Sequence, residues 1–356
     1  MQVTQIKQVH ISGIASAIPA KLRTVEEDEK IFGVAETAKI SASTGIKNRY
    51  IVSNGQCTSD LCFSAAENLL SQGNWPRDSI DAVILFTQTP DYILPATSCI
   101  LQDRLGLSKS CAAFDINLGC SGYIYGIWLA ASLISSGSLN RVLLLSGDTI
   151  SRVISPTDKT VAPLFGDAGT ATIIEKTDDT DSQMFFSLGT DGKGREHLIV
   201  PAGGFRRPKT QETSKRYKRE DNNSRSDEDM YMNGPEIFSF TLKEVPPLIN
   251  KILGAAQWSV FDVDAFVFHQ ANSFMLNHLM RRLKIPNEKF ISTLSEYGNT
   301  SSASIPLAMT HDLSNKITGK EKIKLLLAGF GVGYSWGGVA ITCGANLVLP
   351  KLTILQ

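Results

Sequence analysis

The sequence has no excess charge of either sign: 35 basic residues face 35 acidic ones along 356 positions. A formal net charge of zero provides no long-range field to hold a polyanion, which argues against nucleic acid and acidic membrane surfaces as general partners. Long apolar runs are missing as well. Ala82 to Phe86 and Val142 to Leu145 are far shorter than the roughly 18 residues of a membrane span, so none is expected. Cysteine is scarce, at positions 57, 62, 99, 111, 120 and 343, with no Cys-x-x-Cys pair and no zinc-finger His spacing. No metal site is therefore expected, and a reduced cytoplasm fits best. The mildly apolar Ile11 to Ala20 has no basic leader and reads as a first strand, not a signal peptide.

What is present is an ordinary globular composition, 42% apolar and 20% charged, long enough for one large domain or two moderate ones. Short β-rich runs alternate with stretches of helical period, the pattern of an α/β protein with buried sheets. Strands are predicted at 9–14, 81–87, 111–116, 141–146, 168–174, 263–268, 322–328 and 337–342. Helices are predicted at 59–70, 96–105, 120–136, 235–257, 273–283 and 301–313. The polar run 177–183 reads equally well as a joint between two halves or as a surface hairpin loop. Phe205 to Asp229 holds eight Lys/Arg and six Asp/Glu with almost no apolar residue. Such a segment builds no core, and an exposed, mobile insertion is expected, a solvated charge run before a binding lid.

The sharpest local signal is Asp115 to Gly122, where an apolar strand runs into Gly119-Cys120-Ser121-Gly122 and then a long helix. A cysteine at a helix start meets free N–H groups and the positive end of the dipole, which favour a thiolate. On its own, a cysteine in an apolar segment is most often inert core. The balance shifts because His269 follows the apolar Phe266-Val267-Phe268 and Asn299 sits in a small-residue turn before another helix. Cysteine, histidine and asparagine together suit nucleophilic acyl transfer. The glycine-rich Gly329 to Gly338 joins two strands. With no helix after it, it is neither a phosphate loop nor a dinucleotide fingerprint, so no nucleotide cofactor is expected.

At these residues the sequence resembles the β-ketoacyl-acyl-carrier-protein synthase III family of thiolase-like condensing enzymes. The resemblance runs through Thr44-Gly45-Ile46, the Cys120 elbow, Pro156-Thr157-Asp158, Phe165-Gly166-Asp167-Ala168-Gly169, His269-Gln270-Ala271-Asn272, Gly298-Asn299-Thr300-Ser301 and the last glycine turn. It implies two similar α/β halves, 1–176 carrying the cysteine and 184–356 carrying His and Asn, in a five-layered αβαβα homodimer. It also implies that Cys120 is acylated by an acyl-CoA and that His269 and Asn299 assist condensation with malonyl-acyl carrier protein, without metal or bound cofactor. Backbone N–H groups at Cys120 and Val332 would hold an oxyanion, and a backbone donor survives the change from the family's usual Gly to Val332.

Substrate residues follow from the same resemblance. Leu94 stands where a partner subunit lines the acyl pocket, often with an aromatic residue, so a pocket wider than acetyl needs is expected, walled by Phe238 and Phe330. Lys159 and Asn272 are assigned to coenzyme A and its pantetheine arm, although Lys39 and Ser43 replace the usual nucleotide-end Trp and Arg. Phe274 replaces an Arg of the carrier-protein surface, leaving Arg281, Arg282 and Lys284 as its basic patch. Degradative thiolases are disfavoured because the glycine turn holds no second cysteine. Three rivals remain: acyl transfer to a hydroxyl or amine, a silent partner subunit of a synthase, and a cysteine protease with the same residue types.

Overall fold

Two sheets and three helix layers organise the chain, in a computed structural model that describes residues 2–317, 320–344 and 346–356. The first sheet has six strands in the order Thr353–Leu355, Val9–Pro19, Ala168–Lys176, Arg141–Asp148, Ala82–Phe86 and Ala112–Ile116. The second has five, in the order Thr4–Lys7, Gln183–Thr190, Ser335–Gly344, Lys322–Gly331 and Ala265–Phe268. Each sheet thus takes its first-named edge strand from the opposite end of the chain. The chain crosses between the sheets three times, at Gln8, at 177–182 and between Gly344 and Thr353, and the first two crossings are tied to each other. Gln8 N–H donates to the Ser182 carbonyl at 2.9 Å, and Thr177 N–H donates to the Gln8 carbonyl at 3.0 Å. The polar run thus connects strands of different sheets.

The strands are apolar on both faces because both faces are covered. Gly122–Ser135 and Ser304–Ile317 lie between the sheets, where Ile124, Ile127 and Ile305 pack against Ile84, Leu144 and Leu325. Thr58–Gln72 and Thr97–Arg104 cover the outer face of the first sheet, and Gly234–Ala256 with Ser273–Leu283 cover that of the second. This is the expected αβαβα order. No helix among the described residues is long and apolar enough to cross a membrane.

Most predicted elements stand within a few residues of their expected bounds. The helix after Cys120 begins at Gly122, with Ser121 as its cap, and the one predicted from Ser301 begins at Ser304 after a single tight turn at Ser301–Ala303. The sequence reading missed the Gln183–Thr190 strand and two helices, Val25–Phe32 and Val34–Thr44.

The charged segment departs from expectation. Its first part is exposed, with Phe205 at 86% exposure, but its second part is latched to the body. Arg225, nearly buried, pairs with the fully buried Asp158 at 3.0 Å and with Asp221 at 2.7 Å. Lys159 N–H donates to Asn223 Oδ1 at 3.0 Å, and Ser155 Oγ donates to the Ser224 carbonyl at 2.6 Å. Charge alone predicts solvation, but here ionic partners distant in sequence take water's place. Arg225→Met leaves Asp158 buried without its cation, at a cost of about 3 kcal/mol. The segment is then expected to be cleaved roughly a hundredfold faster in limited proteolysis, since local opening sets the rate; an unchanged rate would show that the latch does not hold it.

Candidate active site

The ends of three strands bring the site together. Ala112–Ile116 leads to Cys120, Ala265–Phe268 leads to His269, and Lys322–Gly331 turns back through 332–334 into Ser335–Gly344. The third of these packs directly on the first. A Cβ on Gly331 would stand 2.8 Å from Cys120 Cβ and 3.0 Å from its sulfur, and one on Gly329 would stand 2.7 Å from the Cys120 carbonyl. Only glycine lets this strand pass so close to the nucleophile candidate. Gly331→Ala is therefore expected to displace the sulfur and lower turnover tenfold or more while the fold persists, for a strain of about 1–3 kcal/mol; turnover within twofold of wild type would refute the packing argument.

Cys120 is buried and sits at the floor of a cavity of about 570 Å³ with Asn117, Ser301 and Val332. Its walls are largely apolar, formed by Ile150, Val153, Phe165, Leu198, Val200 and Met230. The expected thiolate is not what the resting site favours. Burial pushes the thiol up to about 12, and the nearby Asp148 carboxylate pushes the same way. Hydrogen bonds from Ser301 and from the backbone N–H groups of Val332 and of Cys120 itself oppose that rise without overcoming it. Desolvation outweighs the helix end.

His269 is buried, and desolvation pushes its imidazole down to about 3, so the ring is neutral near pH 7. Its tautomer follows from its neighbours. Ser304 Oγ accepts from Gln270 N–H at 3.4 Å and lies 2.8 Å from His269 Nδ1, placed to donate its hydroxyl proton there. Nδ1 then accepts and Nε2 carries the hydrogen. Phe330 packs edge-on against the ring at 5.7 Å between centroids.

Asn299 is held by its backbone, with its N–H on the Leu164 carbonyl at 2.9 Å and its carbonyl accepting from Gly166 at 3.1 Å. Its side-chain Oδ1 accepts from Ser301 N–H at 3.0 Å, which fixes the amide so that its nitrogen is the donor end. Ser301 therefore meets all three candidates: Asn299 through its N–H, His269 through a backbone hydrogen bond, and Cys120 through its side chain.

Comparison with known proteins gives the family of the chain. Family models described as 3-oxoacyl-[acyl-carrier-protein (ACP)] synthase III and its C-terminal part match residues 114–192 and 253–343. The β-ketoacyl-[acyl-carrier-protein] synthase III of Clostridium perfringens (strain ATCC 13124) is 36% identical over 323 residues, 90% of this chain and 95% of that protein. Synthase III 3 of Streptomyces coelicolor is 35% identical over 334 residues, 93% and 96%. A crystal structure of a 3-oxoacyl-(acyl-carrier protein) synthase from Burkholderia xenovorans LB400 superposes with a TM-score of 0.93 at 41% identity, covering 99% of both chains. The chain belongs to the synthase III family. It is an acyl-transferring condensing enzyme of the thiolase-like fold.

The remaining synthase III positions are scattered. Val332 lines the cavity, but Phe238 does not: it is half-buried on the surface, tilted against Phe274 at 5.2 Å and edge-on to His278 at 5.3 Å. Phe330 walls the His269 side and not the cavity beside Cys120. Leu94 is 79% exposed, outside the cavity of its own chain. Lys159 pairs with Glu36 at 2.9 Å, and Asn272 Oδ1 caps its helix by accepting from Met275 N–H at 2.8 Å. Arg281 and Lys284 share a shallow recess, whereas Arg282 donates to the Leu242 carbonyl at 2.9 Å. The sequence reading gave no role to Asp148, Ser301 or Ser304. Two of them lie within or beside the Gly298 to Ser301 motif, yet their roles arise from a turn that only coordinates reveal.

Proposed function

We propose that Cys120 is the nucleophile of a two-stage condensation in which His269 and Asn299 serve the second stage. The meeting of these three residues around Ser301, which lines one cavity together with Cys120, carries this reading. In the first stage the sulfur attacks an acyl thioester, the Cys S–C bond forms, the donor's C–S bond breaks, and the departing thiolate takes the proton. The N–H groups of Cys120 and Val332 hold the oxyanion of the tetrahedral intermediate. In the second stage a malonyl thioester loses carbon dioxide, and the electron pair of the broken C–C bond passes to an enolate. His269 Nε2–H and the Asn299 amide stabilise the enolate oxygen. The carbanion carbon attacks the acyl carbon, the Cys120 sulfur leaves, and solvent returns its proton. These steps need a nucleophile and hydrogen-bond donors, so the reading includes neither metal nor organic cofactor.

The partners in this reading are an acyl-CoA donor, an acyl carrier protein bearing the malonyl group, and a second copy of the chain, in the cytoplasm. Exposed Tyr92, Ile93 and Leu94 form an apolar stretch that favours burial against another subunit, and there Leu94 would narrow the partner's cavity less than an aromatic residue. The apolar walls around Cys120 favour acyl groups longer or more branched than acetyl.

The test is intact-protein mass after brief exposure to a panel of acyl-CoA donors, followed by a malonyl-carrier chase. An adduct of one acyl mass that disappears with release of carbon dioxide supports condensation. An adduct indifferent to malonyl, but removed by an alcohol or amine, would replace it with simple acyl transfer.

A further inference from the structure

We propose that Ser301 is a further catalytic residue, whose hydroxyl donates to the Cys120 sulfur as that sulfur attacks the donor thioester; this rests on the acyl-enzyme reading above. Ser301 is buried, shares the cavity with Cys120, and has φ 51°, a left-handed backbone uncommon for serine. That turn lets its N–H serve Asn299 Oδ1 at 3.0 Å while its hydroxyl is within hydrogen-bonding reach of both Cys120 and Asp148. Gly119 leaves the space for it, since a Cβ there would lie 3.3 Å from Ser301 Oγ and 2.1 Å from Gln88 Oε1.

Asp148 explains why a donor is needed at this place. It is fully buried at the end of Arg141–Asp148 and accepts from Gln88 N–H at 2.7 Å, Ser302 N–H at 3.1 Å and Ser302 Oγ at 2.7 Å. The Thr87 and Thr89 hydroxyls approach it at 3.2 and 3.4 Å. With five other donors, this carboxylate does not depend on Ser301, while its charge opposes any charge on the sulfur. A hydroxyl that turns from a satisfied acceptor toward a sulfur gaining charge forms the stronger, charge-assisted hydrogen bond. His269 is neutral and contributes no cation, and the cations that line the cavity, Arg195 and Lys209, are paired with Glu196 at 3.2 Å and Glu228 at 3.6 Å. Ser301 keeps its own proton throughout; the thiol proton leaves with the donor's thiol.

The experiment compares wild type with Ser301→Ala and Ser301→Gly. Both retain the backbone N–H to Asn299, and glycine also relieves the positive φ. Iodoacetamide alkylation of Cys120 at fixed pH is expected to slow at least fivefold in both variants. Acylation by the preferred thioester should fall tenfold or more, while carbon dioxide release from a malonyl thioester by enzyme already acylated falls less than threefold. Alkylation within twofold of wild type in both variants, loss in one variant only, or an equal fall of both half-reactions would overturn the role. Alkylation needs no substrate, so it judges Ser301 even if wild type accepts no acyl group, an outcome that would sink the acyl-enzyme reading instead.

Discussion

Cys120→Ala is expected to carry no acyl adduct from any thioester and to lose condensation by roughly 10⁴-fold or more, the scale seen when a covalent nucleophile is deleted. Among the described residues no other cysteine lines the cavity. Cys62, Cys111 and Cys343 are buried elsewhere, Cys57 and Cys99 lie outside the cavity, and a serine hydroxyl with no base beside it is a poor nucleophile. Because the His269 and Asn299 donors remain, the variant should still release carbon dioxide from a malonyl thioester. Mass spectrometry and carbon dioxide release together decide the matter, and an adduct persisting on the variant would remove Cys120 from its role. The wild-type pH profile has a definite sign. With the thiol pushed up to about 12, the thiolate fraction, and with it alkylation, should climb about tenfold per pH unit across the neutral range, without levelling near the ordinary thiol value.

The second large effect belongs to the enolate donors. His269→Ala or Asn299→Ala is expected to slow decarboxylation by about 10² to 10³, the cost of losing one oxyanion donor, while Cys120 acylation falls only a few-fold. The Ser304 contact fixes which ring nitrogen carries the hydrogen, so Ser304→Ala should slow decarboxylation by a smaller factor without touching alkylation. Since His269 is pushed down to about 3, it binds no proton between about pH 3 and its ordinary value near 6.5, whereas the unfolded chain does. Stability is therefore lost as pH falls through 6.5 toward 3, and decarboxylation should show no inflection near pH 6.5. An inflection there that vanishes in His269→Gln would mean that the ring titrates in the open site. If both half-reactions fall equally in His269→Ala, the division of labour is wrong.

The strands and helices that carry chemistry were legible because each is a run of one period bounded by glycine or small polar residues, as at Gly119 to Gly122 and Gly298 to Ser302. Val25–Phe32 was missed because it buries only Asp28, so its apolar stripe is faint, although Thr24 and Glu27 spell a capping box. Gln183–Thr190 ends in Gly189-Thr190 and follows a polar crossing, which masked a strand that gains its pairing from Ser335–Gly344, some 150 residues on. The Arg225 latch and the rise of the Cys120 thiol lie beyond any local reading. Both depend on what surrounds a charge in three dimensions, and Asp158 and Asp148 are 67 and 28 residues from the groups they affect.

The exchange of edge strands between the ends of the chain bears on how the molecule is made. Val9–Pro19 emerges long before its neighbour Thr353–Leu355, so the first sheet stays open along that edge until those residues have left the ribosome. Thr4–Lys7 likewise waits for Gln183–Thr190. Cutting the gene at the 177–182 crossing would give two fragments, each with a strand that belongs to the other's sheet. They should recover activity only when produced together, as a single body reassembled from two pieces.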